Sequence, residues 1–285
     1  MSLEVCVLAS GSSGNSIYVA SRKTRILIDA GLSAKQIALR LDQIGVAPES
    51  INGICVSHEH GDHVNGIRVL QKRHRIPVYA NAGTLNGIMR QPKAHEISAK
   101  IFQTGSAFEI GDITIEPFSV PHDAYEPVGF RLQAEETSVG IATDLGMATA
   151  LIRDKLKGCR AIILESNHDE DLLREAPRPW PLKQRIRSRQ GHLSNIDAAR
   201  LITESATSEL EHVFLAHLSS DCNTPDTALR TVASQLRLDG LGHINLEIAL
   251  ASRISKIWKP SSIPIDGRRT IRTSAMKLSS FTDPD

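Results

Sequence analysis

The sequence lacks a strong net charge, a long apolar run and a closely spaced pair of cysteines. Its 33 Lys and Arg residues nearly balance its 32 Asp and Glu residues, so the charge balance does not point to a nucleic-acid partner, and any basic surface must be local. No apolar run approaches the length of about 18 residues that spans a membrane, and no basic leader opens the chain. We therefore expect neither a membrane span nor a signal peptide.

The cysteines indicate a reducing compartment. Cys6, Cys55, Cys159 and Cys222 are far apart, and the first two lie in apolar, strand-like runs. This pattern is typical of reduced cysteines in the core of a cytoplasmic protein. With 285 residues, of which 41% are hydrophobic, the chain is long enough to bury a full core and to form a globular protein of enzyme size.

Residues 57–63 read Ser-His-Glu-His-Gly-Asp-His and directly follow the apolar run at 54–56. In an ordinary core an imidazole or carboxylate without a partner costs about a few kcal/mol, whereas a divalent cation binds such side chains together. The alternative is a surface turn that is only rich in histidine. We interpret the segment as a metal site at the end of a strand.

The spacing within this segment predicts two metal ions. His58 and His60 are two residues apart, so on an extended backbone they point the same way and can bind one ion. Gly61 allows a sharp turn, which would present Asp62 and His63 to a neighbouring ion. A helical His-Glu-x-x-His protease site is excluded, because the third and fourth positions after His58 are Gly61 and Asp62.

Helix signals lie between the predicted strands. Ser33, Ser194 and Thr224 are expected N-caps, and Pro225 suits the first position of a helix. A further helix is expected from about Val64 to His74. The alternation of strands and helices in both halves of the chain predicts two packed sheets flanked by helices.

The segment at 57–63 matches the His-x-His-x-Asp-His signature of the metallo-β-lactamase superfamily. Together with the motifs Ser-Gly-Ser-Ser-Gly-Asn-Ser, Pro-His-Asp-Ala, Glu-Ser-Asn-His-Asp and Gly-His-Leu-Ser-Asn, it resembles the YycJ/WalJ-like branch of that superfamily over about residues 1–250. The resemblance implies an α/β fold, the four-layer αββα metallo-β-lactamase sandwich, over residues 1–254. Residues 255–285 are expected to form a C-terminal tail that is flexible or attached to the surface.

The resemblance implies three more metal ligands, each at the end of a predicted strand. His122 lies upstream of Gly129-Phe-Arg131, where related enzymes have their third metal histidine, and Asp144 and His217 correspond to the bridging carboxylate and the last metal histidine. Taken alone, His122 and His217 also fit structural roles, and Asp144 fits a turn or helix-capping role. His217 is preferred over His212, which would enter the same strand from its other end.

Our hypothesis for the metal centre divides these ligands between two divalent ions, Zn²⁺ or Mn²⁺, since mixed His/Asp sites hold either metal. One ion is assigned His58, His60 and His122, the other is assigned Asp62, His63 and His217, and Asp144 is shared. The resemblance also implies that Asp29 supports the metal-bearing loop without binding metal. A water that bridges the ions, with its pKa lowered to about 7, would supply the hydroxide that attacks phosphorus.

Catalytic residues are implied by a resemblance to the tRNA 3′-processing ribonucleases. Asp62 is expected to act in catalysis as well as in metal binding. Glu165, in the motif Glu-Ser-Asn-His-Asp, would orient His192, in the motif Gly-His-Leu-Ser-Asn. His192 would then give a proton to the departing sugar oxygen. The alternative for His192 is a simple turn residue.

Two segments are candidates for substrate binding. The glycine- and serine-rich link at 10–15 is expected to form a β-hairpin turn, and its Ser12 and Asn15 are candidate phosphate ligands. Basic residues alternate at 183–189, so that on an extended backbone all four would face one way and form a basic row along the phosphates: Lys183, Arg185, Arg187 and Arg189. The alternative is a solvated basic loop. Trp180 is the one aromatic residue close to the row, so sequence readout is not expected.

The resemblance implies a dinuclear-metal phosphodiesterase, and within that class a DNA exonuclease acting from 5′ to 3′, with DNA rather than RNA as the partner. No segment is long enough for the inserted arm that binds tRNA, so tRNA processing is not expected. The alternative is a small-molecule hydrolase for a lactone or thioester, which would use the metals but not the basic row. A non-catalytic nucleic-acid-binding module is disfavoured, because every ligand position is filled.

Overall fold

Two sheets form the centre of the fold in residues 3–91 and 97–261, which are the residues that the computed structural model describes. The first sheet has six strands in chain order: β1 (Glu4–Ala9), β2 (Ser16–Ala20), β3 (Arg25–Ile28), β4 (Gly53–Cys55), β5 (Val78–Ala80) and β6 (Ala99–Ile101). Strands β1 to β3 pair antiparallel, and β3 to β6 pair parallel. The hairpin predicted for residues 10–15 is confirmed, because this link joins β1 to β2.

The second sheet has seven strands: β7 (Phe108–Ile110), β8 (Ile113–Ser119), β9 (Val128–Ala134), β10 (Thr137–Ala142), β11 (Ala161–Glu165), β12 (His212–Ala216) and β13 (Asn245–Ile248). Strands β7 to β10 pair antiparallel, and β10 to β13 pair parallel. Since β9 is antiparallel to both of its neighbours, β8 runs in the same direction as β10, β11 and β12. The carboxyl ends of these four strands therefore lie at the same edge.

An apolar core lies between the two sheets. Val5 and Val7, at alternate positions of β1, belong to the same buried cluster as Phe130 and Phe214 of the second sheet, as the two-residue period of a strand requires. Burying each of these side chains stabilises the fold by about 1.5 to 3 kcal/mol. All four cysteines are buried and free, which confirms their predicted place in the core.

Helices pack on the outer face of each sheet. The α-helices of the described residues are α1 (Ala34–Asp42), α2 (Gly61–Val64), α3 (Ile67–His74), α4 (Ala82–Met89), α5 (Ala150–Leu156), α6 (Glu170–Glu175), α7 (Trp180–Ile186), α8 (Asn195–Ser205) and α9 (Pro225–Leu238). Residues of α1 and α3 pack with the outer side of the first sheet, and residues of α5, α8 and α9 with that of the second. This order of layers confirms the αββα sandwich. Within the described ranges, no helix is long and apolar enough to cross a membrane.

Side-chain caps explain where three of the helices begin. Ser33 accepts a hydrogen bond from the backbone N–H of Gln36, and Ser194 and Thr224 accept from the third residue after each of them. Pro225 occupies the first turn of α9, where its missing N–H costs nothing. The predicted caps are therefore confirmed.

The helix predicted from about Val64 to His74 is divided in two, with α2 ending at Val64 and α3 beginning at Ile67. The cause is Gly66, whose backbone N–H donates to the carbonyl of Ala30. A Cβ at this glycine would lie 2.4 Å from the carbonyl oxygen of Leu32. The chain between the two helices is thus packed directly on the backbone that follows β3.

Three residues that follow strands have left-handed backbone conformations: Asp29 after β3 (φ 61°), Asp144 after β10 (φ 55°) and His217 after β12 (φ 54°). Residues other than glycine rarely adopt a positive φ, and such strain is concentrated at functional sites. The carboxyl edge of the sheets is therefore where a site is expected.

After β13 the chain returns to the first sheet. Val5 and Trp258 exchange two backbone hydrogen bonds, of 3.0 and 2.8 Å, and Trp258 is buried. The domain boundary predicted at residue 254 stays a prediction. Most of the predicted tail, residues 262–285, lies outside the described residues.

Candidate metal centre

The predicted metal ligands converge at the carboxyl edge of the two sheets. One possible ligand atom from each of His58, His60 and His122 lies within 4.8 Å of the others, and the same holds for Asp62, His63 and His217. These are the two sets that were predicted for separate ions. A further group, made of His58, His63 and Asp144, joins the two sets.

Asp29 holds the segment that carries the first ligands. Its Oδ1 accepts a hydrogen bond from the backbone N–H of Ser57 (2.7 Å), and its Oδ2 lies 2.7 Å from Ser57 Oγ and 2.8 Å from His63 Nδ1. With Nδ1 as the donor, His63 keeps the lone pair of Nε2 for a metal ion. This contact is the support that the resemblance implied for Asp29.

The ligand segment packs closely on the backbone that follows β3. A Cβ on Gly31 would lie 1.5 Å from the carbonyl oxygen of Asp62, so only glycine fits here. The turn predicted at Gly61 is present, because the backbone N–H of His63 donates to the carbonyl of His60 (2.9 Å), but Gly61 is the first residue of α2 and does not have a positive φ. The position that requires glycine is Gly31 instead, where two backbone segments meet.

Asn15 is buried against the ligand segment. Its backbone N–H donates to the carbonyl of Asp62 (2.7 Å), and its Nδ2 lies 3.1 Å from Asp62 Oδ2 and 3.0 Å from His63 Nε2. Only 5% of Asn15 is exposed. This placement argues against the substrate contact predicted for Asn15 and indicates that it positions Asp62 and His63.

Several buried polar atoms at the centre have no hydrogen-bond partner in the protein. His122 Nδ1 lies 3.2 Å from the carbonyl oxygen of Gly191, and His217 Nδ1 lies 3.0 Å from Glu165 Oε1. In the described part of the chain, the Nε2 atoms of both histidines and Asp144 Oδ2 are buried without a hydrogen-bond partner. Such atoms are costly, and imidazole nitrogens and carboxylate oxygens are ligands of Zn²⁺ and Mn²⁺. The donor set therefore fits the predicted divalent cations.

Asp144 lies between the two sets of ligands. Its Oδ2 is 3.3 Å from His63 Nε2, and its Oδ1 is 3.4 Å from His217 Nε2 and 3.9 Å from His122 Nε2. Two cations close together need an anion between them. The position of this carboxylate is the one that a shared ligand requires.

The charges of the site suit a cation. Burial, together with the neighbouring His63, lowers the pKa of His58 well below its usual range, and burial also lowers the pKa of His122, so both rings are neutral as metal ligands must be. Burial opposes a charge on His217 too, but the carboxylates of Asp144, Asp62 and Glu165 raise the pKa of His217 to about 10. The carboxylates of the centre thus attract a positive charge.

Glu165, at the end of β11, is fully buried and has four hydrogen-bond partners. Its Oε1 lies 2.8 Å from His192 Nδ1 and 3.0 Å from His217 Nδ1, and its Oε2 accepts from the backbone N–H groups of Leu145 and Leu193. Burial opposes its charge, yet His192 and His217 lower the pKa of Glu165 to about 2. The predicted contact between Glu165 and His192 is present, and Glu165 also orients a metal ligand, which was not predicted.

A cavity of about 240 Å³ opens onto the ligands. Part of its wall comes from the segment at 178–191, including Arg178 and Arg185. Arg185 Nη2 in turn lies 2.8 Å from Asp123 Oδ2, another lining residue. Neither Arg178 nor Asp123 was predicted as a site residue. Ser12 lines the cavity as well, so its contact with substrate stays a prediction that this position allows.

The predicted extended basic row is wrong in its geometry. Residues 180–186 form α7, in which residues two apart are separated by about 200° around the axis, so their side chains cannot share a face. Lys183 Nζ donates to the carbonyl of Arg174 (2.6 Å), whereas Arg185 lines the cavity. Arg187 is the C-cap of α7, and Arg189 lies beyond the helix. Of the four, Arg185 is the one placed for a substrate contact.

Comparison with known proteins gives relatives over nearly the whole chain. Residues 24–217 match the family described as the Beta-lactamase superfamily domain. Exodeoxyribonuclease YycJ of Bacillus anthracis is 38% identical over 243 residues, which cover 85% of this chain and 92% of the relative. Exodeoxyribonuclease WalJ of Streptococcus pneumoniae serotype 2 is 36% identical over 239 residues, which cover 83% of this chain and 89% of the relative.

A solved structure shows the same fold at lower identity. The metallo-beta-lactamase fold protein YhfI from Bacillus subtilis matches with a TM-score of 0.70 over 90% of this chain and 99% of its own, at 18% sequence identity. This likeness concerns the fold alone. By the matched domain and the extent of the relatives, the chain belongs to the beta-lactamase superfamily and, within it, to the family of the YycJ and WalJ proteins.

Proposed function

We propose that the protein is a metal-dependent phosphodiesterase that releases nucleotides from DNA in the 5′ to 3′ direction. The observation that carries the proposal is the relationship to two proteins named exodeoxyribonucleases over more than 80% of the chain, combined with a site in which all seven predicted ligands meet. The choice of DNA follows the names of these relatives. The polarity follows the resemblance of the motifs to the YycJ/WalJ-like branch.

Two divalent cations, Zn²⁺ or Mn²⁺, fit the ligand set. His58, His60 and His122 would hold one ion, Asp62, His63 and His217 the other, and Asp144 both. Bound there, the cations would lower the pKa of a water to make it a nucleophile and offset the charge that develops on the phosphate. Asn15 and Asp29 keep the second set in place through hydrogen bonds to Asp62 and His63.

His192 is the residue that we assign to protonating the leaving group. It lines the cavity, and its Nδ1 is held 2.8 Å from Glu165 Oε1. A ring held at Nδ1 has Nε2 available to give a proton to the departing sugar oxygen. Glu165 is fully buried, so it acts as a positioning residue for His192.

The shape of the cavity supports attack at the end of a strand. The cavity has a volume of about 240 Å³. On one side the loop after β8 meets the segment before α8: Asp123 contacts Arg185 at 2.8 Å, and its backbone N–H donates to the carbonyl of Gln190. A cavity bounded on that side favours a strand end over the middle of a strand.

The direct test is product analysis with end-labelled oligonucleotides. Single- and double-stranded DNA and RNA, labelled at either end, are incubated with Mn²⁺ or Zn²⁺ and the wild type, His63→Ala or His243→Ala. The wild type is expected to release the 5′ label from DNA as a mononucleotide, and the first variant to lose at least about 100-fold in rate, since a metal ligand is removed. His243 is exposed in the link between α9 and β13, so its variant should match the wild type. Failure to cleave any polymer, with metal bound, would contradict the proposal and favour a small-ester hydrolase.

The cytoplasm is the compartment that we assign to this activity. The four cysteines are buried and free, as in proteins of reducing compartments. The assignment predicts that the purified protein needs no disulfide for folding, which thiol titration of the unfolded chain checks by finding four reactive thiols.

A further inference from the structure

We infer that Arg178 binds a phosphate of the DNA substrate other than the scissile one, which gives the cavity a second phosphate subsite. The inference rests on the proposed nuclease function and extends it. Arg178 lies in the link between α6 and α7, and it lines the same cavity as the metal ligands and His192.

The link that carries Arg178 is held firmly against the rest of the domain. Leu173 and Ala176 before it and Ile186 after it form a buried apolar cluster with Cys222. The backbone N–H of Asp169 donates to the carbonyl of Cys222, and the backbone N–H of Arg178 to that of Ala176. An arginine on such a support is positioned before substrate arrives, which lowers the entropy cost of binding.

The guanidinium of Arg178 is only partly used by the protein. Its Nη2 lies 2.5 Å from Asp221 Oδ2, and 27% of its side chain is exposed. Its Nε is buried and, among the described residues, has no hydrogen-bond partner. A guanidinium has five N–H donors and no acceptor, and the contact with Asp221 uses one of them, so the exposed part of Arg178 retains donors for a ligand in the cavity.

Two other arginines differ from Arg178 in burial or in their contacts with the protein. Arg40 is buried, and its Nη1 and Nη2 donate to the carbonyls of Leu8 and Ala251, so its role is structural. Arg185 also lines the cavity, but it is 62% exposed at the side chain and is paired with Asp123. Arg178 differs from both, because its side chain is only 27% exposed and it lines the cavity beside the metal ligands.

The chemistry of the wall favours a phosphate as the ligand. A planar guanidinium matches the oxygens of a phosphate, to which it can donate two parallel hydrogen bonds. The neutral polar residues Ser12, Asn167 and Ser219 line the cavity too and can donate to further oxygens of an anion. In a 5′ to 3′ exonuclease the subsite would take either the terminal 5′-phosphate or the next phosphodiester along the strand.

The test compares DNA with a small diester that has a single phosphate. Arg178→Gln, Arg178→Lys and the control Arg230→Gln, an exposed arginine of α9, are assayed on single-stranded DNA and on bis(p-nitrophenyl) phosphate. We expect Arg178→Gln to raise KM for DNA by about tenfold or more, since a charge-assisted pair is lost, and to affect the small diester far less. Arg178→Lys should fall between, because lysine keeps the charge but not the planar fork.

The two sources of the phosphate are separated by the 5′ end of the DNA. If the subsite binds the terminal phosphate, Arg178→Gln raises KM more for 5′-phosphorylated DNA than for 5′-hydroxyl DNA. If the subsite binds the next phosphodiester, the substitution raises KM equally for both substrates. Fluorescence anisotropy of the same oligonucleotides, made resistant to cleavage by phosphorothioate linkages, measures the loss of binding by the metal-loaded protein without turnover.

A structural role for Arg178 gives a different result. In that case Arg178→Gln and Asp221→Asn lower the melting temperature alike, and Arg178→Gln reduces activity on DNA and on the small diester in the same proportion. That result, or an unchanged KM and anisotropy for DNA, overturns the inference. A wild-type protein that cleaves no DNA overturns the proposed function instead, and the anisotropy comparison still decides whether Arg178 binds a phosphate.

Discussion

Glu165 Oε1 and His192 Nδ1 are 2.8 Å apart, and the same carboxylate oxygen lies 3.0 Å from the Nδ1 of a second histidine, His217. One buried carboxylate therefore orients both the proposed proton donor and a proposed metal ligand. Its other oxygen accepts two backbone hydrogen bonds, so the carboxylate itself is fixed. Catalysis and metal binding are thus linked through Glu165.

Glu165→Gln should reduce both functions. An amide offers one acceptor oxygen, so it cannot accept hydrogen bonds from both rings and both backbone N–H groups. We expect kcat on single-stranded DNA to fall by about 10- to 100-fold, in the range found for residues that orient metal ligands. Glu247→Gln, on the edge strand β13, serves as the matched control. If Glu165→Gln has the same kcat as the wild type, the proposed positioning role of Glu165 is excluded.

Asp29→Asn should weaken metal binding without unfolding the protein. Asn tolerates the positive φ of residue 29, but it lacks the charge that holds His63 Nδ1 and the donors of Ser57. The expected loss in Zn²⁺ affinity is about 10- to 100-fold, measured by competition with a chromogenic chelator. Asp112→Asn, an exposed aspartate that accepts from Ser21, should bind Zn²⁺ as the wild type does. Equal affinities in the two variants contradict the role of Asp29.

Gly31→Ala and Gly61→Ala should differ sharply, although both glycines lie close to the predicted ligands. The methyl group at residue 31 would overlap the carbonyl of Asp62, whereas at residue 61 the closest atom is Asn65 Oδ1 at 3.4 Å. We expect Gly31→Ala to lose about 1 to 3 kcal/mol of stability, as overpacking does, together with part of its bound metal. Thermal unfolding and metal analysis of the two variants measure these effects. If Gly61→Ala is destabilised and Gly31→Ala is as stable as the wild type, the position that requires glycine is Gly61 and not Gly31.

His212 should make the protein less stable in acid. Burial lowers the pKa of His212 to about 4 from an ordinary 6.5, although the Glu211 carboxylate opposes the shift. The unfolded chain therefore takes up this proton at a higher pH than the folded protein does. The stability that depends on neutral His212 is complete above pH 6.5 and is lost as the pH falls towards 4.

The measurement is urea unfolding of His212→Gln and the wild type across that pH window. The variant is expected to lose less stability between pH 6.5 and 4 by about 1 to 2 kcal/mol, a value reduced from the full pKa shift because the ring is partly solvated. Identical pH dependence of the two proteins would show that His212 is not held neutral by the fold.

The choice of His122, Asp144 and His217 as ligands depended on the family resemblance, because each of them taken alone also fits a structural role. The structure places them beside the segment at 57–63, and their role as ligands stays a prediction. Other features could be predicted from local signals. The caps at Ser33, Ser194 and Thr224 were read from residue type alone. These features depend on short-range chemistry.

Features that depend on contacts between distant segments were not predictable in the same way. Asn15 lies in a turn, and only its approach to Asp62 makes it a buried positioning residue. The basic row failed because the spacing of charges was weighed above a helix signal, the proline in the first turn of α7. Arg178 follows no motif, and its place in the cavity wall is visible only in three dimensions.

In the mechanism that we propose, two divalent ions, held by the seven ligands and shared through Asp144, are required to hydrolyse DNA. The most direct test is the rate of mononucleotide release from 5′-labelled single-stranded DNA as Mn²⁺ is titrated into chelator-treated protein, with bound metal counted in parallel. We predict no release without metal, a plateau at two ions per chain, and low activity of Asp144→Asn at every metal concentration. Full activity after chelation, or a plateau at one ion per chain, would contradict the account.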